Sequence, residues 1–343
     1  MKQLQSDDPS IGREYVSPDE DFHIGKIIKL FERTLSAYYP VGNVKRMFHP
    51  KIHGLVKADF IVSEYLEDVY KHGLFQPGVT YPCWIRFSNA KKKAAPDSKK
   101  DMRGMAIKLI GVPGKKLLEH NADAVTHDFL LVTAKTLQTR SVKDFQKSLT
   151  ALMSGGLKLA WYALSHPMVI VRSVKQISAC NNLLETSFFS TTPYRFGTDE
   201  TSAVKYAVIP SNKYPRTLAD NPSVDFLKER LIDDLSQNDF FFDFMIQFQE
   251  DAARMPIEDP TVEWQSPFIK IATIKIPKQT FNSSAQEAYG ENLSFTPWHS
   301  IKEHQPLGGV NRARKAVYTA LSAFRHELNG KIENEPTAIE SFS

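Results

Sequence analysis

The segment RARKAVYTALSAFR, residues 312–325, combines cationic side chains with one phenol. A helix advances about 100° per residue. Four side chains of this segment therefore fall within roughly 60° of one another, those of Arg314, Tyr318, Leu321 and Arg325. A phenol ordinarily ionises near pH 10, but a cation one turn away stabilises the phenolate, which is a competent axial ligand for haem iron. Arg325, about 10 Å further along the stripe, could meet a carboxylate of the same cofactor. Taken alone, the stripe is weak evidence, because a tyrosine flanked by arginines on a helix is more often a surface or core-edge feature.

Two histidines stand four residues apart in the segment RMFHPKIHGLVKADF. His49 and His53 have the spacing of a helical metal-binding pair, but Pro50 and Gly54 argue against a helix there. A neutral imidazole can take up a proton and return it near pH 7. We therefore expect one of the two histidines to act as a general base above a cofactor.

Two further arginines lie at predicted strands. In YPCWIRFSNA, Arg86 and Ser88 occupy alternate positions and so point the same way. An arginine buried on an aromatic-rich strand requires a carboxylate partner. In DMRGMAIKLIGV, Arg103 and Gly104 precede an apolar run, and we predict a turn with a surface arginine there.

Blocks of short apolar runs, bounded by Gly, Pro or Asn, predict a sheet that curls on itself. A helix is predicted first, from HIGKIIKLFERTLSAYY, and a helical region covers residues 141–186. The predicted strands are GLVKADFIV, TYPCWIRFSN, GMAIKLIGV, HDFLLVT, SAVKYAVIPS, FFFDFMIQFQ and FIKIATIKIP. Because the strands come in blocks instead of alternating singly with helices, the fold class is α+β, an antiparallel β-barrel with flanking helices. We predict one domain at 21–330, with loose tails at 1–20 and 331–343.

Composition excludes several classes of protein. The 343 residues are 42% hydrophobic, enough for a real core. The net charge of +4 is mild, and the lysines of AKKKAAPDSKK fit a solvated loop without interleaved aromatics, so no nucleic-acid partner is predicted. Cys83 and Cys180 suggest neither a disulfide framework nor a zinc site. With no signal-peptide pattern at the start, a cytoplasmic location is expected.

The longest apolar region is LTALMSGGLKLAWYALSHPMVIV. Lys158, His166 and Pro167 interrupt it, and it falls short of a membrane-spanning helix. We interpret it as a buried or interfacial helix pair. The alternative is contact with a membrane, or with an apolar substrate, through residues 149–175.

Taken together, the chain resembles the haem catalase family, and more closely its short, catalase-like haem peroxidase branch. The resemblance covers most of residues 40–330, and its motifs occur in the family's order. They are RMFHPK, WIRFSN, DMRGMAIKL, STTPYRFGTDETSAVKY, ENLSFTPWH and RKAVYTALSAFR, the last with arginine seven residues after the tyrosine.

The resemblance implies a haem b cofactor with Tyr318 as the proximal, tyrosinate ligand of the iron. It makes Arg314 the cation that supports the phenolate. It also makes Arg46, Arg86 and Arg325 the partners of the haem propionates, so that the stripe on the last helix faces haem.

On the distal side, the resemblance implies His49 as the acid and base and Ser88 as its hydrogen-bond partner. His53 is the rival for the distal role and is retained among the cofactor contacts, because matching His49 to the family requires an extra residue before Phe60. The family's distal asparagine has one candidate, Asn121, whose register before HDFLL does not clearly fit.

The function implied is cleavage of hydrogen peroxide or organic hydroperoxides, with a small molecule as reductant. Two alternatives stand beside it: rearrangement of lipid hydroperoxides, as in the related allene oxide synthase branch, and haem binding without turnover. The additional wrapping segment and C-terminal helical region of the full-length enzymes are expected to be largely missing from this chain. That leaves the interlocked tetramer and the nucleotide site of some members open, with a homo-oligomer still compatible.

Overall fold

Antiparallel pairing organises the strands of this computed structural model, which describes residues 10–212 and 221–342. Within those residues the strands are β1 (Lys51–Val62), β2 (Thr80–Asn89), β3 (Arg103–Ile110), β4 (Thr126–Val132), β5 (Phe188–Phe189), β6 (Tyr194–Arg195), β7 (Ala203–Pro210), β8 (Phe240–Phe248) and β9 (Phe268–Ile276). They form one sheet in the order β5-β4-β3-β2-β1-β9-β8-β7-β6. Because β5 pairs with both β4 and β7, eight strands close into a barrel, with β6 added beside β7. The predicted α+β barrel is confirmed.

Aromatic side chains fill the barrel. On β8, Phe242, Phe244 and Ile246 are fully buried on one face, as the alternation of the sequence predicts. The rings of Phe60 and Phe129 lie 4.9 and 4.8 Å from that of Phe244. Such a filled interior leaves no room for a large cofactor, so a binding site has to lie outside the barrel.

Helices cover one side of the barrel. The described residues contain α1 (Glu20–Tyr38), α2 (Val142–Ser154), α3 (Gly156–Ser165), α4 (Pro167–Gln176), α5 (Phe226–Gln237), α6 (Ser284–Asn292) and α7 (Gly309–Leu328). An apolar cluster joins α1, α2 and α7 through Phe31, Leu149 and Val317. The helices predicted at both ends of the chain are therefore present, and the predicted middle region divides into α2, α3 and α4.

The C-terminal segment, predicted as a loose tail, is instead packed on the barrel. Glu335 Oε2 lies 2.7 Å from Nζ of Lys108, which is fully buried. The ring of Phe342 lies 6.0 Å from that of Trp84. A buried ammonium requires carboxylate partners, and this requirement anchors a segment whose polar sequence indicated disorder.

The N-terminal tail was predicted at 1–20, of which residues 1–9 lie outside the described part. After them, Ile11 is only 3% exposed. Glu14 forms an ion pair with Arg312 of α7. The prediction of a loose tail is therefore wrong for Ile11 and Glu14, since tertiary contacts hold both.

Candidate functional site

A cavity lies between the outer wall of the barrel and the helices α1 and α7, and its empty space, including the open solvent at its mouth, is about 1270 Å³. Strand geometry explains the barrel side. Ile85 and Phe87 point into the barrel core, so the intervening Arg86 and the following Ser88 point outward and line the cavity. The same alternation brings Gly104 and Ala106 of β3 to the wall.

His49 sits at the barrel side of the cavity, directly before Pro50 and β1. Its backbone has φ of 60°, the left-handed region that non-glycine residues rarely adopt. Its Nδ1 lies 2.9 Å from Oγ of Ser88, and Nη2 of Arg86 donates to its carbonyl oxygen at 3.0 Å. Ser88 and Arg86 thus hold both the ring and the backbone of a strained residue, which is common at functional sites.

Electrostatics keep the imidazole of His49 neutral. Burial, followed by the positive charges of Arg86, Arg46 and Arg314, lowers its pKa from 6.5 to about 3. At neutral pH the ring therefore has a free lone pair and can accept a proton.

Gly104 makes room for this histidine. In the β2–β3 ladder it pairs with Ser88. A Cβ at Gly104 would lie 2.5 Å from Cε1 and 2.6 Å from Nδ1 of His49, and 3.0 Å from Oγ of Ser88. Any side chain here would displace the imidazole or break its contact with Ser88.

The helix side of the cavity carries the stripe read from the sequence: it is lined by Arg314, Tyr318, Leu321 and Arg325. The guanidinium of Arg314 donates to Oγ1 of Thr192 at 3.2 Å and to Oδ1 of Asn311 at 3.3 Å, contacts that fix its position. The hydroxyl of Tyr318 makes no hydrogen bond to any residue that the structure describes.

Cations cluster around a single carboxylate at one end of the cavity. Glu291 of α6 lies 3.3 Å from Arg86, 3.5 Å from Lys45 and 3.8 Å from Arg46. Arg325 donates to the carbonyl oxygen of the same residue at 2.6 Å. The carboxylate that Arg86 was expected to require is thus present, but Arg86 shares it with Lys45 and Arg46, while Arg325 binds the backbone of the same residue.

This cluster has unused capacity to bind an anion. Nη1 of Arg46 and Nε of Arg86 are buried without a hydrogen-bond partner. Such donors are costly unless satisfied, and guanidinium groups match carboxylates in shape and charge. The rest of the lining is mainly apolar and includes Phe31, Leu35, Met105, Leu130, Val317 and Leu321. Apolar walls, unpaired arginine donors and a free phenol together fit a large planar cofactor bearing carboxylates, as haem b does.

Two of the predicted site residues are not brought to this cavity. His53 lies within β1, is fully buried, and places Nε2 2.6 Å from Oδ1 of Asn89. Asn121 lies in the 3-10 turn Glu119–Asn121 and donates its amide to Nε2 of His299 at 3.0 Å. Neither His53 nor Asn121 is therefore among the described residues that line this cavity.

Arg103, predicted at the surface, is 1% exposed. It donates to the side chain of Asn89 and to the carbonyl oxygen of Asp97. The sequence indicated the strand that follows it, but not the partners that bury it.

Sequence reasoning also missed two contributors to the site. Gly104 was seen only as part of a turn, although a glycine opening an apolar strand is a signal for close approach of another group. Glu291 has no local pattern that marks it, because its partners come from distant segments of the chain.

No protein-family model matches the chain, and none of the curated proteins matches it. Solved structures do match. A bacterial catalase is 15% identical with a TM-score of 0.65, covering 100% of this chain and 68% of its own. Catalase A from Saccharomyces cerevisiae is 16% identical with a TM-score of 0.64, covering 91% and 72%. A fungal catalase is 15% identical with a TM-score of 0.64, over 87% of this chain. The chain spans 62% of the length of that fungal catalase. The chain therefore has the fold that these catalases share.

Proposed function

We propose that this protein is a haem-dependent peroxidase that cleaves hydrogen peroxide or organic hydroperoxides. One observation carries the proposal: a single cavity holds a neutral His49–Ser88 pair on its barrel side and the Arg314–Tyr318 helix face on its other side. A proton acceptor facing a metal-ligating phenol is the arrangement that peroxide cleavage on haem requires.

The residues that would hold the cofactor follow from the chemistry of the cavity. Arg46, Arg86 and Arg325 would bind the two propionates, and the hydroxyl of Tyr318 would ligate the iron as a phenolate. The charge of Arg314 favours that ionised form. When bound, haem would supply the redox-active iron on which the peroxide bond is broken.

The protein's own contribution is proton transfer and orientation. His49 accepts the proton of the incoming hydroperoxide and returns it to the oxygen that leaves. Ser88 fixes the plane of the imidazole through the 2.9 Å contact to Nδ1. Because that contact occupies Nδ1, Nε2 is the atom left to exchange the proton.

A peroxidase accords with the cavity better than an efficient catalase. The amide of Asn121 lies against His299 and not in the cavity. The distal pair that would position a second hydrogen peroxide is therefore incomplete, and disproportionation should be slow. A separate reductant is the expected second substrate.

Rearrangement of lipid hydroperoxides is the second candidate function. The apolar lining, which includes Met47, Phe48, Leu118 and Phe295, favours a substrate with a hydrocarbon chain. Product analysis decides between the two: a peroxidase yields the alcohol and consumes reductant, whereas a rearrangement consumes none.

Absorption spectra of haem-loaded protein test the cofactor assignment. Wild type should show a high-spin ferric spectrum with phenolate character, and Tyr318→Phe should lose that character. Tyr289→Phe, whose ring lies against Trp84 outside the cavity, is the matched control and should keep the wild-type spectrum. No haem uptake, or identical spectra for Tyr318→Phe and wild type, would disprove the site.

Replacement of the base tests catalysis separately. His49→Ala should retain haem and lose peroxide cleavage by about 10²- to 10⁴-fold, the range typical of a general base. Stopped-flow measurement of peroxide consumption provides the rate. An unchanged rate in His49→Ala would identify a haem-binding protein without turnover.

A further inference from the structure

Apolar side chains on α3 and α4 project into solvent. Leu157, Trp161 and Leu164 of α3 are 90%, 73% and 78% exposed. Met168 and Val174 of α4 are 57% and 62% exposed. On α3 the three residues recur at spacings of four and three, which places them on one face of the helix. Exposed apolar side chains grouped on one helix face in this way mark an interaction site.

The charged side chains within this stretch of the chain have one sign only. Residues 145–184 contain no aspartate or glutamate, although the whole chain has 39 of them. The cations of the stretch are Lys147, Lys158, Arg172 and Lys175. None of the four forms an ion pair with a residue in 10–212 or 221–342. A partner that pairs with them has to be anionic.

The surface is the outer side of a helical layer whose inner side is already covered. α2 packs on α1, on α7 and on α3, and α3 also packs on α4. Tyr162 of α3 is buried and stacks on His166 at 4.2 Å. The exposed leucines and tryptophan are therefore not required by the fold of the chain itself.

A second copy of the chain is a poor occupant for this surface. A twofold contact brings the same patch of each subunit together. It would set the four cations of one copy beside the four of the other, with no carboxylate within 145–184 to neutralise them. Apolar side chains with a tryptophan, surrounded by lysine and arginine, are instead the composition of helices that lie in the interface of an anionic membrane.

We propose that α3 and α4 bind the surface of an anionic lipid bilayer, with Leu157, Trp161 and Leu164 entering the boundary between headgroups and acyl chains and the surrounding cations contacting the headgroups. The contact is peripheral. No helix of the described chain is long and apolar enough to cross a membrane. The proposal does not depend on haem, because it concerns a different surface from the cavity.

Vesicle binding by the full chain tests the proposal. We expect co-sedimentation with vesicles of equimolar phosphatidylcholine and phosphatidylglycerol and little with phosphatidylcholine alone. Trp161 provides an internal probe, since Trp84, Trp264 and Trp298 are all less than 10% exposed. Its emission should shift to shorter wavelength on addition of the anionic vesicles, and Trp161→Phe should abolish the shift.

Paired variants separate the apolar and the electrostatic contributions to vesicle binding. Leu157→Ser with Leu164→Ser should weaken vesicle binding at least tenfold, because the apolar area that enters the lipid is lost. Lys158→Gln with Lys175→Gln should weaken it about fivefold for each cation removed. The controls are Tyr65→Ser, at a site 94% exposed, and Lys99→Gln with Lys100→Gln. Both controls should bind like wild type.

Three results would overturn the proposal. The first is no co-sedimentation with anionic vesicles. The second is equal loss of binding in the control and patch variants. The third is self-association, measured by light scattering, that the leucine variant abolishes while lipid binding is absent, which would assign the surface to a second copy. Circular dichroism of each variant shows that the fold is retained.

Discussion

Glu291 balances the cations of the cavity. Burial raises the pKa of its carboxyl, but Arg46 and Arg86 outweigh burial and hold the pKa below its usual value. The carboxylate is therefore ionised at neutral pH and competes with any other anion for the same guanidinium groups. A cofactor that brings carboxylates to Arg46 and Arg86 has to displace or share this partner.

Glu291→Gln should therefore bind haem more tightly, by roughly tenfold, because a charge-assisted contact of about 1.5 kcal/mol no longer competes. Titration of haem into the apoprotein, followed by absorption, measures the affinity. Glu287→Gln is the matched control on the same helix, since Glu287 pairs with Lys228 and not with the arginines of the cavity. Weaker or unchanged haem binding in Glu291→Gln would show that the carboxylate does not compete.

At the level of secondary structure, strands β2 and β3 position the distal residues. Their register sets Ser88 opposite Gly104 and Arg86 opposite Ala106. Small residues on β3 thus leave space in front of the larger polar residues of β2. His49 fits into that space because of the register of β2 with β3 and the backbone conformation directly before β1.

Gly104→Ala should disturb this fit. The added methyl group overlaps the imidazole, so we expect a loss of about 1–3 kcal/mol in the free energy of unfolding and a clear loss of peroxide cleavage. Urea unfolding and turnover measure the two effects. Gly25→Ala on α1, where no atom beyond the neighbouring helix backbone lies within 4 Å of the new methyl group, should keep full turnover. Normal activity in Gly104→Ala would contradict the tight packing of His49.

Buried histidines couple the stability of the whole molecule to pH. Burial lowers the pKa of His304 to about 3 and that of His53 to about 4, and both side chains are fully buried. In the unfolded chain both titrate near pH 6.5. Below that pH the unfolded state binds more protons, so acidification destabilises the fold.

We expect the free energy of unfolding to fall by roughly 2 kcal/mol per buried histidine between pH 7 and pH 5. Urea denaturation at both pH values measures it, in a range where carboxylates with lowered pKa values stay ionised. His304→Gln lowers stability at every pH but should remove its share of the pH dependence. If the free energy of unfolding depends on pH as strongly in this variant as in wild type, His304 takes up its proton in the folded state as well.

The sequence by itself determined the elements and the chemistry that each carries. Alternation over FFFDFMIQF places Phe242, Phe244, Ile246 and Phe248 on one face, and helical periodicity aligns the cationic and phenolic residues of the last helix. Both patterns are local, so no knowledge of distant contacts was needed, and the α+β barrel followed from the order of the runs.

Tertiary structure decided which candidates share a site. Two features favour His49 over His53 as the histidine of the cavity. They are the left-handed backbone before β1 and the side of the barrel wall to which each ring points. The site's balance of charge rests on Glu291, which lies 205 residues from Arg86 along the chain. The C-terminal segment is anchored because Lys108 is buried far from it in sequence. Such choices depend on burial and on contacts between distant segments, and no local pattern of residues contains them.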